Sequence, residues 1–156
     1  MRRLKSVSGR LKKLFRASES EAKPVSPHLL IVDDEESICF SMREYFSQHG
    51  FEVDTAREME EAEALLAKTD YEVIIQDLRL DLTRRTGGLE IIKQVSKRTP
   101  NTRIVVLTSY GSAELEDMAR SAGAHAFLRK PKPLSQVAQV IHGLIESPHR
   151  EVAGSI

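Results

Sequence analysis

Five times in succession a short, mostly apolar run is followed by a stretch whose apolar residues return every three or four positions, and that alternation leaves few folds open. The runs are Leu29–Val32, Phe51–Asp54, Val73–Gln76, Arg103–Leu107 and Ala126–Leu128. The helix-period stretches are Glu36–His49, Glu58–Lys68, Leu89–Lys97, Ser112–Ala122 and Leu134–Glu146. In the first of these Ile38, Met42, Tyr45 and Phe46 share one face and Gly50 offers a helix stop; Gly123 does the same for the fourth. Ala62, Leu65 and Leu66 point the second helix inward, and Leu89, Ile92 and Val95 the third. Strands this apolar on both sides require burial on both faces, so the expectation is an α/β domain with a five-stranded parallel sheet between two helical layers. A length of 156 residues suits one such domain and not two.

Open parallel sheets place their chemistry beyond the carboxyl ends of the strands. The residues there are Asp33 and Asp34 after the first run, Asp77 after the third, Thr108 after the fourth and Lys130 after the fifth. A strand order 2-1-3-4-5 gathers all of them around one crevice. Three carboxylates in one crevice repel unless a cation or raised pKa values relieve them. Mg²⁺, which takes oxygen ligands and keeps several waters, is the partner that fits. A carboxylate so placed can attack phosphorus to give an acyl phosphate while metal and Lys130 neutralise the equatorial oxygens and Thr108 hydrogen-bonds one of them. Each residue alone has an ordinary reading. Asp33-Asp34 could serve only as a helix N-cap, Lys130 as a solvated surface residue, Thr108 as a strand-end hydroxyl and Phe127 as core. Gly87-Gly88 lacks the Lys and Ser/Thr of a phosphate-binding loop and reads as a turn, the five histidines show no metal-ligand spacing, and Cys39 reads as packing.

The segments LLIVDDEES (29–37), YEVIIQDLRL (71–80), RIVVLTSYGS (103–112) and AGAHAFLRKP (122–131) together resemble the receiver domain of bacterial two-component response regulators, over roughly residues 28–147. The resemblance implies a flavodoxin-like fold in which Asp77 is the phosphoacceptor, Asp34 a direct Mg²⁺ ligand, Asp33 a ligand through water, and the Arg79 backbone carbonyl the third protein contact to metal. It further implies that Thr108 and Lys130 contact the phosphoryl group, that Phe127 is the switch aromatic, and that the Lys130-Pro131 bond is cis. A sensor histidine kinase or phosphotransfer protein would supply the phosphoryl group, and a downstream protein would read the face of the fourth helix, fifth strand and fifth helix, including Leu115, Met118, Phe127 and Lys132. Two features depart from the family pattern. Asp81 stands where a proline is usual, with Thr83-Arg84-Arg85-Thr86 lengthening the loop 81–88, and Gln76 is polar where an apolar or acidic residue is commoner.

The chain's zero net charge conceals a division. Residues 1–27 carry eight Lys/Arg against two Glu, a net of +6, and the remainder carries −6. Within this arm Leu4, Val7, Leu11, Leu14 and Phe15 fall in an arc of about 100° at helical spacing. The basic residues lie opposite, as in amphipathic segments that meet an anionic membrane or an acidic partner through residues 4–16. A nucleic acid would not need the apolar stripe, so none is expected. Residues 148–156 read as a tail, so the expected organisation is an arm, a stand-alone receiver without an output domain, and a short tail. No apolar run is long enough for a membrane span or a secretory segment, and one cysteine makes no internal disulfide, so a cytoplasmic protein is expected, with membrane association through the arm. The function expected is a phosphorylatable switch that turns over no metabolite. The alternatives are an unphosphorylated pseudo-receiver acting as a binding or scaffold module, which the complete residue set opposes, and a flavodoxin-like cofactor binder. The latter needs a phosphate-cradling loop where this chain has Asp33, Asp34, Glu35 and Glu36.

Overall fold

Alternation within the buried strands builds two cores from one sheet. The computed structural model describes residues 25–78 and 87–147. Its elements run β1 (His28–Val32), α1 (Glu36–Gln48), β2 (Glu52–Ala56), α2 (Met59–Lys68), β3 (Val73–Gln76), α3 (Gly87–Arg98), β4 (Arg103–Thr108), α4 (Ala113–Ala122), β5 (Ala126–Arg129) and α5 (Leu134–Glu146). All four strand pairings are parallel and the order is β2-β1-β3-β4-β5, as the sequence implies. Leu30, Val32, Ile74, Ile104 and Val106 pack with α2, α3 and α4 on one face. Leu29, Ile31, Val73, Ile75, Val105 and Leu107 pack with α1 and α5 on the other. Burial on both sides explains why the middles of the inner strands, residues 29–32, 73–75 and 104–107, are continuously apolar, while β2, at the sheet edge, tolerates Glu52, Asp54 and Thr55. The amphipathic arm (1–24), Arg79, the lengthened loop through residue 86 and the tail (148–156) lie outside the described residues. Among the described residues no helix is long and apolar enough to cross a membrane.

Among the boundaries that differ from the sequence expectation, two have a plain physical reason. β2 begins at Glu52 rather than Phe51 and runs on to Ala56. The Phe51 N–H is already committed to the Phe46 carbonyl at 3.1 Å, and Gly50 has φ +88°, so both residues close α1 in a left-handed C-terminal turn. Gly87-Gly88, expected to be a turn, form the buried first residues of α3. A Cβ at residue 88 would stand 3.0 Å from the Leu78 Cα and 3.1 Å from the Asp77 carbonyl oxygen. Glycine at this position lets the helix seat against the chain leaving β3 without displacing either atom.

Candidate functional site

Ladder hydrogen bonds carry the ends of the central strands to one level. The Asp33 N–H donates to the Ala56 carbonyl at 3.0 Å, Asp77 N–H to Val32 at 2.9 Å, and Lys130 N–H to Thr108 at 2.9 Å. Asp33, Asp77 and Thr108 are buried. Lys130 leaves β5 with its ammonium between the two carboxylates, 2.6 Å from Asp33 Oδ2 and 3.2 Å from Asp77 Oδ2, and its side chain is only 10% exposed. The Lys130-Pro131 peptide is cis, as the resemblance implies.

The other Asp33 oxygen accepts the Glu35 N–H at 2.9 Å, an aspartate turn of two residues. Glu35 itself is the residue before α1 and makes no side-chain capping bond, so Asp33-Asp34 does not serve as the N-cap. Asp34 is exposed, and its backbone carbonyl accepts from Arg57 Nε at 3.3 Å. Burial pushes the Asp33 carboxyl above the usual carboxylate range, and the Asp77 charge adds to the rise, against opposing hydrogen bonds from Lys130 and the Glu35 N–H. Burial pulls the Lys130 ammonium down, but the Asp33 hydrogen bond and the charges of Asp77 and Asp33 leave it above its ordinary value, held as a cation. Cys39 packs beneath with its thiol donating to the Asp33 carbonyl at 3.2 Å; burial and the Asp33 charge raise its pKa and keep it a thiol.

Oxygen atoms of Asp33, Asp34 and Glu35 all come within 4.8 Å of one another, an all-oxygen donor set of the kind a hard divalent cation takes. Asp77 stands beside this set across the Lys130 ammonium. Thr108 Oγ1 accepts the Tyr110 N–H at 3.2 Å, which ties it to the loop after β4. Phe127 pairs in register with Val106, so it and Thr108 occupy the same sheet face, and it is half-buried against the core under α2, α3 and α4.

Three residues take a part at the site that the sequence did not assign to them. Glu35 joins the acidic set. Arg57, whose guanidinium also lies 3.6 Å from Glu36 Oε2, follows the second strand, and inspecting that strand end like the others finds it. Gly88 leaves no signal of its role in the sequence, because its neighbours Asp77 and Leu78 meet it only in the fold.

The response regulator receiver domain model matches residues 29–142. The chain is 31% identical over 112 residues to the response regulator protein PilR of Pseudomonas aeruginosa and 31% over 113 residues to the photosynthetic apparatus regulatory protein RegA of Cereibacter sphaeroides. Each match covers 72% of this chain, but only 24% of PilR and 60% of RegA. Those relatives are longer proteins, and they lend no support to the expectation of a receiver without an output domain. Among solved structures, a response regulator from Burkholderia pseudomallei with a phosphorylated aspartic acid, calcium ion and citrate superposes with a TM-score of 0.68 at 28% identity, over 74% of this chain and 66% of that one. The chemotaxis protein CheY4 of Vibrio cholerae does so with a TM-score of 0.70 at 28% identity, over 77% and 99%.

Proposed function

The chain belongs to the response regulator receiver domain family, signalling domains of two-component systems, and from that premise we propose that Asp77 accepts a phosphoryl group in a Mg²⁺-dependent phosphorelay. The observation that carries the reading is the Lys130 ammonium held between Asp33 and Asp77 at 2.6 and 3.2 Å. Among the described residues the Lys130 ammonium faces two buried carboxylates, and the oxygen donors beside it suit a metal.

Asp34, Asp33 and Asp77 would hold Mg²⁺, with the Arg79 carbonyl as the further protein contact that the resemblance implies. The ion would supply positive charge to the oxygens of the group in transit. An Asp77 oxygen attacks phosphorus of a phosphohistidine on a sensor kinase or phosphotransfer protein, the P–N bond breaks as the P–O bond forms, and the imidazole leaves with a proton from solvent. Lys130 turns from the Asp77 carboxylate to an oxygen of the new acyl phosphate. Water attack on the same phosphorus resets the switch, so both steps are catalysed within this domain and no metabolite is turned over.

Thr108 carries the signal. Its hydroxyl moves to the phosphoryl group, and the space it leaves on the shared sheet face lets Phe127 turn inward. Burying tens of Å² of ring at ~25 cal/mol per Å² gives about 1 kcal/mol, enough to bias a two-state equilibrium. A partner protein reads the change on the α4–β5–α5 face, where Met118 is 47% exposed and Leu115, Phe127 and Lys132 are half-buried. Residues 4–16 supply a separate basic, apolar-striped contact to an anionic membrane surface or an acidic partner.

A titration of magnesium against acetyl phosphate, read by intact mass, tests the function. One phosphate is gained only with metal. No gain at any metal concentration identifies a pseudo-receiver, and gain in excess chelator removes the metal from the account. Thr108→Ala still takes the phosphate but loses the rise in partner affinity; an undiminished rise contradicts the coupling.

A further inference from the structure

β3 breaks its own apolar pattern at its last residue. Gln76 lies in register between Val32 of β1 and Val106 of β4, on the face covered by α2, α3 and α4, and is 0% exposed. Its Nε2 donates to the Asp77 backbone carbonyl at 2.9 Å, while its buried Oε1 has no hydrogen-bond partner. A glutamine amide offers two donors and two lone pairs, and a buried acceptor left unpaired loses its hydration without compensation. An apolar side chain of the same length would avoid that loss, so stability does not account for this residue. Local rules broken beside the chemistry mark positions held for function.

The oxygen that Nε2 holds is also hemmed in from the opposite element. The Asp77 carbonyl lies so near α3 that a Cβ on Gly88 would approach it to 3.1 Å. The peptide joining Asp77 to Leu78 is therefore fixed between the Gln76 amide and the first turn of α3. Rotation of that peptide would swing the Asp77 carboxylate relative to the Lys130 ammonium.

We propose that Gln76 is a positioning residue for the phosphoacceptor, its side-chain N–H fixing the Asp77 carbonyl and hence the direction in which the carboxylate meets the incoming phosphorus. The proposal rests on the reading of Asp77 as phosphoacceptor. The free Oε1 is the accompanying cost of a side chain present for its donor.

The test uses the full chain, with acetyl phosphate and saturating magnesium. Gln76→Met removes both the donor and the orphaned acceptor at nearly the same length. Its Tm stays near that of wild type, because the variant sheds one unpaired acceptor and takes the donor from another, the Asp77 carbonyl, while its rate of phosphorylation falls about tenfold, within the range for a slightly misplaced reacting group. A packing role alone moves stability and rate together, so the loss of rate at unchanged Tm is the signature. Gln76→Leu repeats the measurement with a different apolar shape. Wild-type rates in both variants, or rate and Tm falling together, overturn the proposal. A wild-type protein that takes no phosphate under these conditions overturns the phosphoacceptor reading itself, and this inference falls with it, a result distinct from a difference between variants.

Discussion

The two ends of the sheet handle buried polarity in opposite ways. At the amino-terminal end the Tyr71 hydroxyl donates to Asp54 Oδ2 at 2.7 Å, Thr102 Oγ1 to the Tyr71 carbonyl at 2.7 Å, and Arg103 Nε to the Leu144 carbonyl at 3.0 Å. Donor meets acceptor, and each bond ties one element to another. At the carboxyl-terminal end two buried carboxylates share one ammonium, and a buried glutamine oxygen has no partner. The first arrangement stabilises the fold, whereas the second holds groups in states they would leave if the surroundings allowed. One scaffold thus carries a settled edge and a poised edge, and substitutions at the two should differ in sign as well as size.

The largest effect is expected from Lys130→Met. Removing the ammonium strands Asp33 and Asp77 in low dielectric, which costs about 3 kcal/mol in urea unfolding of the metal-free protein. Added magnesium restores part of the loss. If Lys130→Met costs no more than a neutral hydrogen bond, the carboxyl-terminal end is not charge-strained.

Asp33→Asn tests the sign. Because burial raises the pKa of Asp33, its ionised form is disfavoured by the fold at neutral pH. The neutral isostere should therefore stabilise the metal-free protein while weakening magnesium binding. A destabilised variant would place Asp33 with the settled groups.

Tyr71→Phe should do the reverse, losing about 1 kcal/mol with the hydrogen bond to Asp54 and leaving phosphorylation unchanged. Burial and the Asp54 carboxylate hold the Tyr71 phenol neutral far above its ordinary value. Its contribution is complete below the unfolded value of about 10 and is lost as pH rises above that through the folded value. The stability difference between wild type and Tyr71→Phe should accordingly shrink in alkali and stay flat from pH 6 to 9. A difference that already varies in that neutral window contradicts the assignment.

The settled edge was the harder of the two to see in sequence. Five βα units and the residues after four of the strands were legible because periodicity and strand ends are local properties, and the resulting order brings Asp33, Asp77 and Lys130 into contact. Tyr71 with Asp54, or Gly88 with the Asp77 carbonyl, are meetings between distant segments that carry no local signal. Phe51 misled for a related reason, since its N–H serves the end of α1 instead of the ladder. Gln76 was legible only as a departure from pattern, and its meaning needed the carbonyl it touches and the acceptor it leaves bare.

The central claim is that the poised edge exists to load one carboxylate. Borohydride reduces an aspartyl phosphate to homoserine, so peptide mapping after treatment with acetyl phosphate, magnesium and borohydride locates the loaded residue directly. The account predicts homoserine at position 77 alone, with none anywhere in Asp77→Asn. Homoserine at Asp33, Asp34 or any other position, or its persistence in Asp77→Asn, would contradict it.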